Sequence, residues 1–85
     1  MPVICEFLGV QVCMHFKEHN PPHIHVHCSG KSACINLETC EIMYGTISKN
    51  RTKIVLEFVN SYKEQLMDMW NKKEIRKIER KKESV

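Results

Sequence analysis

The chain predicts an α+β domain: a largely antiparallel sheet of about five strands, with one long C-terminal helix packed on one face. Three observations carry that expectation. Between residues 3 and 44 apolar and polar residues alternate with period two, the mark of half-buried strands. The links between these stretches are short, which favours an antiparallel meander over crossovers. From Ile54 onward the apolar residues recur at spacings of three and four, the mark of an amphipathic helix.

Residues 3–8 read as a first strand, broken by Gly9. In the second, Val10, Val12, Met14 and Phe16 alternate with Gln11, Cys13 and His15. Lys17 to Pro22 is a loop, because Asn20-Pro21-Pro22 forbids helix and presets an extended backbone. His23–Cys28 is the third strand and Ser29-Gly30-Lys31 a tight turn. Ala33, Ile35 and Leu37 alternate with Ser32, Cys34 and Asn36 in the fourth. Glu38-Thr39 turns the chain into a fifth strand, Cys40–Tyr44, ended by Gly45.

The helix carries one stripe of Ile54, Val55, Phe58, Val59, Tyr62, Leu66, Met69 and Trp70. Ser48 or Asn50 is placed to cap its start. No glycine or proline follows Gly45, so no residue type marks its end, and fraying is expected after about residue 72. The division is a single domain over residues 1–72, with residues 73–85 a basic helix extension or tail. The stripe, Trp70 included, is expected to cover the sheet face formed by Val10, Val12, Met14, Phe16, Ile24, Val26, Ile35 and Leu37. The other face then carries Gln11, Cys13, His15, His23, His25, His27, Cys34 and Asn36, open to water as antiparallel sheets allow.

At 85 residues the chain makes one domain, and its 42% hydrophobic and 27% charged content is ordinary for a globular one. No apolar run approaches the roughly 20 residues of a membrane helix. Its start has neither the basic opening nor the small-residue site of a signal peptide, so a cytoplasmic location is expected. Five cysteines, an odd number without a Cys-x-x-Cys pair, suggest neither a disulfide framework nor a zinc ribbon. They are expected as small buried hydrophobes, with Cys28 the one considered as a metal ligand. The net charge is +3, and its excess lies between Lys72 and Glu83, where seven Lys/Arg face three Glu. That tail is either a handle for RNA or an acidic partner, or a solvated helix end whose cations suit the helix dipole.

All five histidines fall between His15 and Cys28, and His23, His25 and His27 alternate with Ile24, Val26 and Cys28. A strand there sets three imidazoles on one face. Neighbours at i and i+2 stand roughly 6.5–7 Å apart at the backbone, close enough to converge on one ion. Zinc wants four ligands, or three and a water; His23 and His25 are the candidates, joined by His19, His27 or His15. The same pair could serve as base and acid in phosphodiester cleavage, with Lys17, Lys31 or Arg51 stabilising phosphate charge. The plain alternative is structural: imidazoles bonded to backbone carbonyls or water.

The string Gly9 through Met14, followed by Glu18-His19-Asn20-Pro21-Pro22-His23-Ile24-His25-Val26, resembles the small bacterial family called domain of unknown function 4160. The Met-Pro-Val-Ile start, Ser29-Gly30, the Ala33–Glu41 hairpin, Tyr44-Gly45, Glu64, Leu66 and Trp70 fit as well, so the resemblance spans about residues 1–72. It implies a short cytoplasmic protein whose gene stands beside that of another small protein, as in toxin–antitoxin pairs. The implied role is a toxin-like element acting on RNA with a small antitoxin-like partner. The motif carries over to His19, Pro21, Pro22, His23 and His25. His27 falls outside it, His15 stands where an aromatic is usual, Glu18 stands for Asp, and Ser48-Lys49-Asn50-Arg51 replaces a Leu-Pro helix start.

The sequence-based assignment is therefore His19, His23 and His25 as the working site, catalytic or metal-ligating. No cofactor is required for RNA cleavage, and a divalent metal such as zinc is the one the residues would take. The class apart from an enzyme is a binding module holding a metal or a protein partner on the histidine face.

Overall fold

The computed structural model describes residues 3–14 and 21–78. Five strands, β1 (Val3–Phe7), β2 (Val10–Cys13), β3 (His23–Cys28), β4 (Lys31–Asn36) and β5 (Glu41–Gly45), precede α1 (Lys49–Ser61) and α2 (Lys63–Lys72). The strands stand side by side in chain order, each antiparallel to the next. The meander read from alternation and short links is the one observed.

Two hairpin turns set the register. Leu8-Gly9 and Ser29-Gly30 have positive φ at both positions, 49° and 77°, then 51° and 77°. That is the mirror-image turn whose twist matches the flanking strands. The closing pairs are Phe7↔Val10 and Cys28↔Lys31. A slip of one residue would send every side chain to the other face, so these turns decide which residues meet in the site. The third hairpin turns differently. Asn36 Oδ1 accepts from the N–H groups of Glu38 and Thr39 at 2.7 and 3.1 Å, and Cys40 has φ 59°. The fifth strand therefore begins at Glu41, one residue later than expected.

The core lies between one sheet face and the helices. Val10, Val12, Ile24, Val26 and Ile35 are buried there with Val55, Phe58 and Val59 of α1. Phe7 meets Phe58, and Phe58 meets Tyr62, each with ring centroids 5.0 Å apart. Ser48 caps α1, its hydroxyl accepting from the Arg51 N–H at 3.4 Å.

The single long helix is corrected to two. Tyr62 leaves helical geometry at φ −111° and ψ 18°, between α1 and α2. The break is local: the Tyr62 N–H still donates to the Phe58 carbonyl and the Leu66 N–H to the Tyr62 carbonyl, each at 2.9 Å, so the two helices meet end to end with Tyr62 alone off helical geometry. Lys63 then donates from Nζ to the Glu38 carbonyl at 2.8 Å, fixing the start of α2 at the third hairpin. Lys73 ends α2 in the left-handed conformation, and the Glu74 N–H reaches the Met69 carbonyl at 3.1 Å. The chain over residues 74–78 is not helical. It crosses to the first strand, where the Ile78 N–H donates to the Ile4 carbonyl at 2.7 Å. One sheet edge is thus engaged. The other, β5, carries exposed Ile42, Met43 and Tyr44 and a bulge opposite β4, the kind of irregularity that protects an edge from pairing. Phe16 and the strand end beyond Met14 lie outside the described residues.

Candidate functional site

The double proline delivers the chain into β3. Neither proline has an N–H to satisfy, and both carbonyls find donors: Pro22 accepts from the Leu37 N–H at 2.9 Å, and Pro21 accepts from His23 Nδ1 at 2.8 Å. The first of these bonds extends the β3–β4 ladder by one step. The second orients the His23 ring. With Nδ1 donating, the lone pair of His23 sits on Nε2.

Cross-strand register then assembles the face. His25 stands opposite Cys13 of β2 on one side and Cys34 of β4 on the other. His27 stands between Gln11 and Ser32, and His23 opposite Asn36. The imidazoles of His23 and His25 are 5.1 Å apart in an edge-on arrangement. One ligand atom each from His23, His25 and Cys34 lies within 4.8 Å of the other two. These three make the metal-capable group found among the described residues.

This face is not uniformly open, which corrects the expectation of an uncovered surface. The Trp70 ring lies 5.1 Å from that of His23, and His23 is only 5% exposed. Trp70 of α2 belongs to the apolar core cluster and meets His23 as well. Cys34 is fully buried, while His25 and His27 are half-buried. His27 lines a shallow depression with Glu6, Gln11, Ser32 and Lys31, at the end of β3 away from Trp70.

Among the described residues, several charges of α2 and the segment after it are paired locally. Asp68 pairs with Arg76 at 2.6 Å and Lys72 at 3.3 Å. The hydrogen bond from Arg76 holds the Asp68 carboxyl below the usual carboxylate range. Lys73 sets its Nζ over the Trp70 ring, 5.1 Å from the centroid. Burial pushes the Cys13 thiol above its ordinary value.

Of the residues assigned from sequence, the fold brings His23 and His25 together. His19 and His15 lie outside the described residues. Cys34 was expected as a packing residue; what would have singled it out is the two-residue Ser29-Gly30 turn, which sets it opposite His25.

Chemically, two imidazoles and a thiol offer lone pairs to a borderline or soft metal ion. The imidazole pair alone offers an acid and a base. No helix among the described residues is long and apolar enough to cross a membrane. No curated protein and no solved structure matches the chain. The family described as Domain of unknown function (DUF4160) matches residues 9–71, most of the length, with the Pro-Pro-His-Ile-His segment inside the match. The chain belongs to that family.

Proposed function

We propose that this domain is a binding module that holds a divalent transition-metal ion, such as zinc, at His23 and His25, with His19 as a further ligand. The observation that carries this reading is the convergence of ligand atoms at the histidine pair, all within 4.8 Å. Two features support it. The Nδ1 bond to the Pro21 carbonyl is the kind of outer contact that orients a metal-binding imidazole and leaves its other nitrogen to the ion. Trp70 keeps water from one side of the site, which suits a held ion better than a reaction on a large substrate.

The second reading is a toxin-like element cleaving RNA, paired with a small antitoxin-like partner. It draws on the same pair, whose rings at 5.1 Å could act as base and acid. Burial of His23 weighs against it, since a general base must reach the proton it removes. So does part of the tail: among its described residues Lys72 and Arg76 pair with Asp68 and Lys73 lies over Trp70, while Lys77 is exposed; Arg80, Lys81 and Lys82 lie outside the described residues.

Calorimetric titration of zinc into tag-free protein separates the two. The metal reading expects one equivalent bound by the natural sequence, with affinity lowered at least about tenfold by His23→Ala and by His25→Ala. RNA cleavage by the natural protein, lost in both variants while their circular dichroism is unchanged, would replace it with the second reading.

A further inference from the structure

Cys34 is a buried thiol in an unusual place. A buried free cysteine is ordinarily a small hydrophobe, and Cys5 and Cys28 behave so, packed within the contiguous apolar core. Cys34 is 0% exposed yet stands apart from that core, on the histidine face. Its cross-strand partner is His25, and its sulfur lies within 4.8 Å of ligand nitrogens of both His25 and His23.

We infer that Cys34 is a protein ligand of the metal site, so that His23, His25 and Cys34 form a two-nitrogen, one-sulfur centre selective for zinc or a similar borderline ion over magnesium and calcium. This rests on the metal reading proposed above and adds the sulfur and the selectivity to it.

Geometry supports the assignment. In a tetrahedral zinc site, Zn–N of about 2.0–2.1 Å and Zn–S of about 2.3 Å put neighbouring ligand atoms roughly 3.3–3.6 Å apart. The observed spread of up to 4.8 Å is wider than that by about an ångström, a difference that side-chain rotation has to close when the ion binds. The register that makes this possible is fixed three residue pairs away, at Cys28↔Lys31, by the Ser29-Gly30 turn. Charge supports it too. As the S–metal bond forms, the S–H bond breaks and its proton leaves to solvent. The resulting thiolate cancels half the charge of a divalent ion in a site that Trp70 shields from water. Hard cations gain little here, because they take oxygen ligands, and no carboxylate belongs to the group. Three protein ligands leave one tetrahedral position for water, a fourth side chain or a partner's donor atom.

The test is a cobalt(II) titration of tag-free apoprotein followed by absorption spectroscopy, repeated on Cys34→Ser, with Cys13→Ala as the control on the other flank of His25. The natural protein is expected to bind one equivalent with a sulfur-to-cobalt charge-transfer band in the near ultraviolet and the strong visible bands of tetrahedral cobalt. Cys34→Ser should lose the charge-transfer band and weaken zinc about a hundredfold or more, beyond what loss of an outer contact produces. Cys13→Ala should keep the band. A large excess of magnesium should displace nothing. One equivalent bound without the charge-transfer band overturns the role of Cys34 and leaves the histidine site standing. Persistence of the band in Cys34→Ser does the same. No binding at all overturns both. Cys34→Ala, which keeps the buried apolar volume, reads the same loss of the band if Cys34→Ser does not fold.

Discussion

Replacing Trp70 with alanine should cost the domain a large part of its stability and loosen the histidine pair with it. Trp70 is 3% exposed, with the His23 ring 5.1 Å from its own and the Lys73 ammonium 5.1 Å from its ring centroid. A buried tryptophan removes roughly 150–250 Å² from water, and truncation of such a residue to alanine costs about 3–5 kcal/mol. The whole folding free energy of an 85-residue domain is on the order of 4–13 kcal/mol. The variant therefore sits near the edge of folding, with Tm lowered by roughly 12–40 °C. Trp70→Phe keeps most of the apolar contact and should lose about half as much. Urea unfolding followed by circular dichroism measures both, since Trp70 is the only tryptophan and its fluorescence goes with it. A double-mutant cycle with His23→Ala isolates the ring contact, expected at about 0.5–1.5 kcal/mol. A loss below about 1 kcal/mol in Trp70→Ala, or zero coupling to His23, would refute the placement of α2 over the histidines.

Two further perturbations probe the frame around the site. Gly45→Ala should destabilise by about 2–4 kcal/mol in urea unfolding. Gly45 has φ +80°, and a Cβ there would collide with the Ser32 carbonyl and come within 2.9 Å of Ala33 Cα, both backbone atoms of β4. A neutral result would contradict the β4–β5 pairing. The Asp68–Arg76 contact should be visible in a pH titration by NMR: the Asp68 carboxyl titrates below the usual range, and Arg76→Ala brings it back up. Because the folded value is the lowered one, the contact supports the native state above the ordinary carboxylate pKa of about 3.9 and is lost as pH falls through the folded value. An unchanged Asp68 titration in Arg76→Ala would sink that pairing.

The sheet was legible because its two signals are local. Alternation assigned faces, and Gly9, Gly30 and the double proline marked where strands stop. The helix stripe was equally legible, but its break was not. Tyr62 continues the three-and-four spacing through the break, so periodicity sees one helix where the backbone at Tyr62 makes two. Lys73 in the left-handed conformation carries no sequence mark, since glycine is the usual residue there. The third hairpin shifted by a residue because the Asn36 side chain, not Glu38-Thr39 alone, organises the turn.

The site was half legible for a related reason. His23 and His25 share a face by parity alone, and alternation also put Cys34 on that face. Which residue faces His25 depends on turn length. Including Lys31 in the turn shifts the pairing by one and takes Cys34 away from His25; the two-residue turn restores it. The shielding of His23 by Trp70 is a contact between residues 47 positions apart in the chain, so no local pattern could have shown it.

The most direct measurement is a crystal structure of tag-free protein grown with zinc, with anomalous scattering recorded on both sides of the zinc edge. The expected result is one zinc peak at about 2.0–2.3 Å from a nitrogen of His23, a nitrogen of His25 and the sulfur of Cys34. Empty density between those three side chains, with zinc bound elsewhere or not at all, would contradict it.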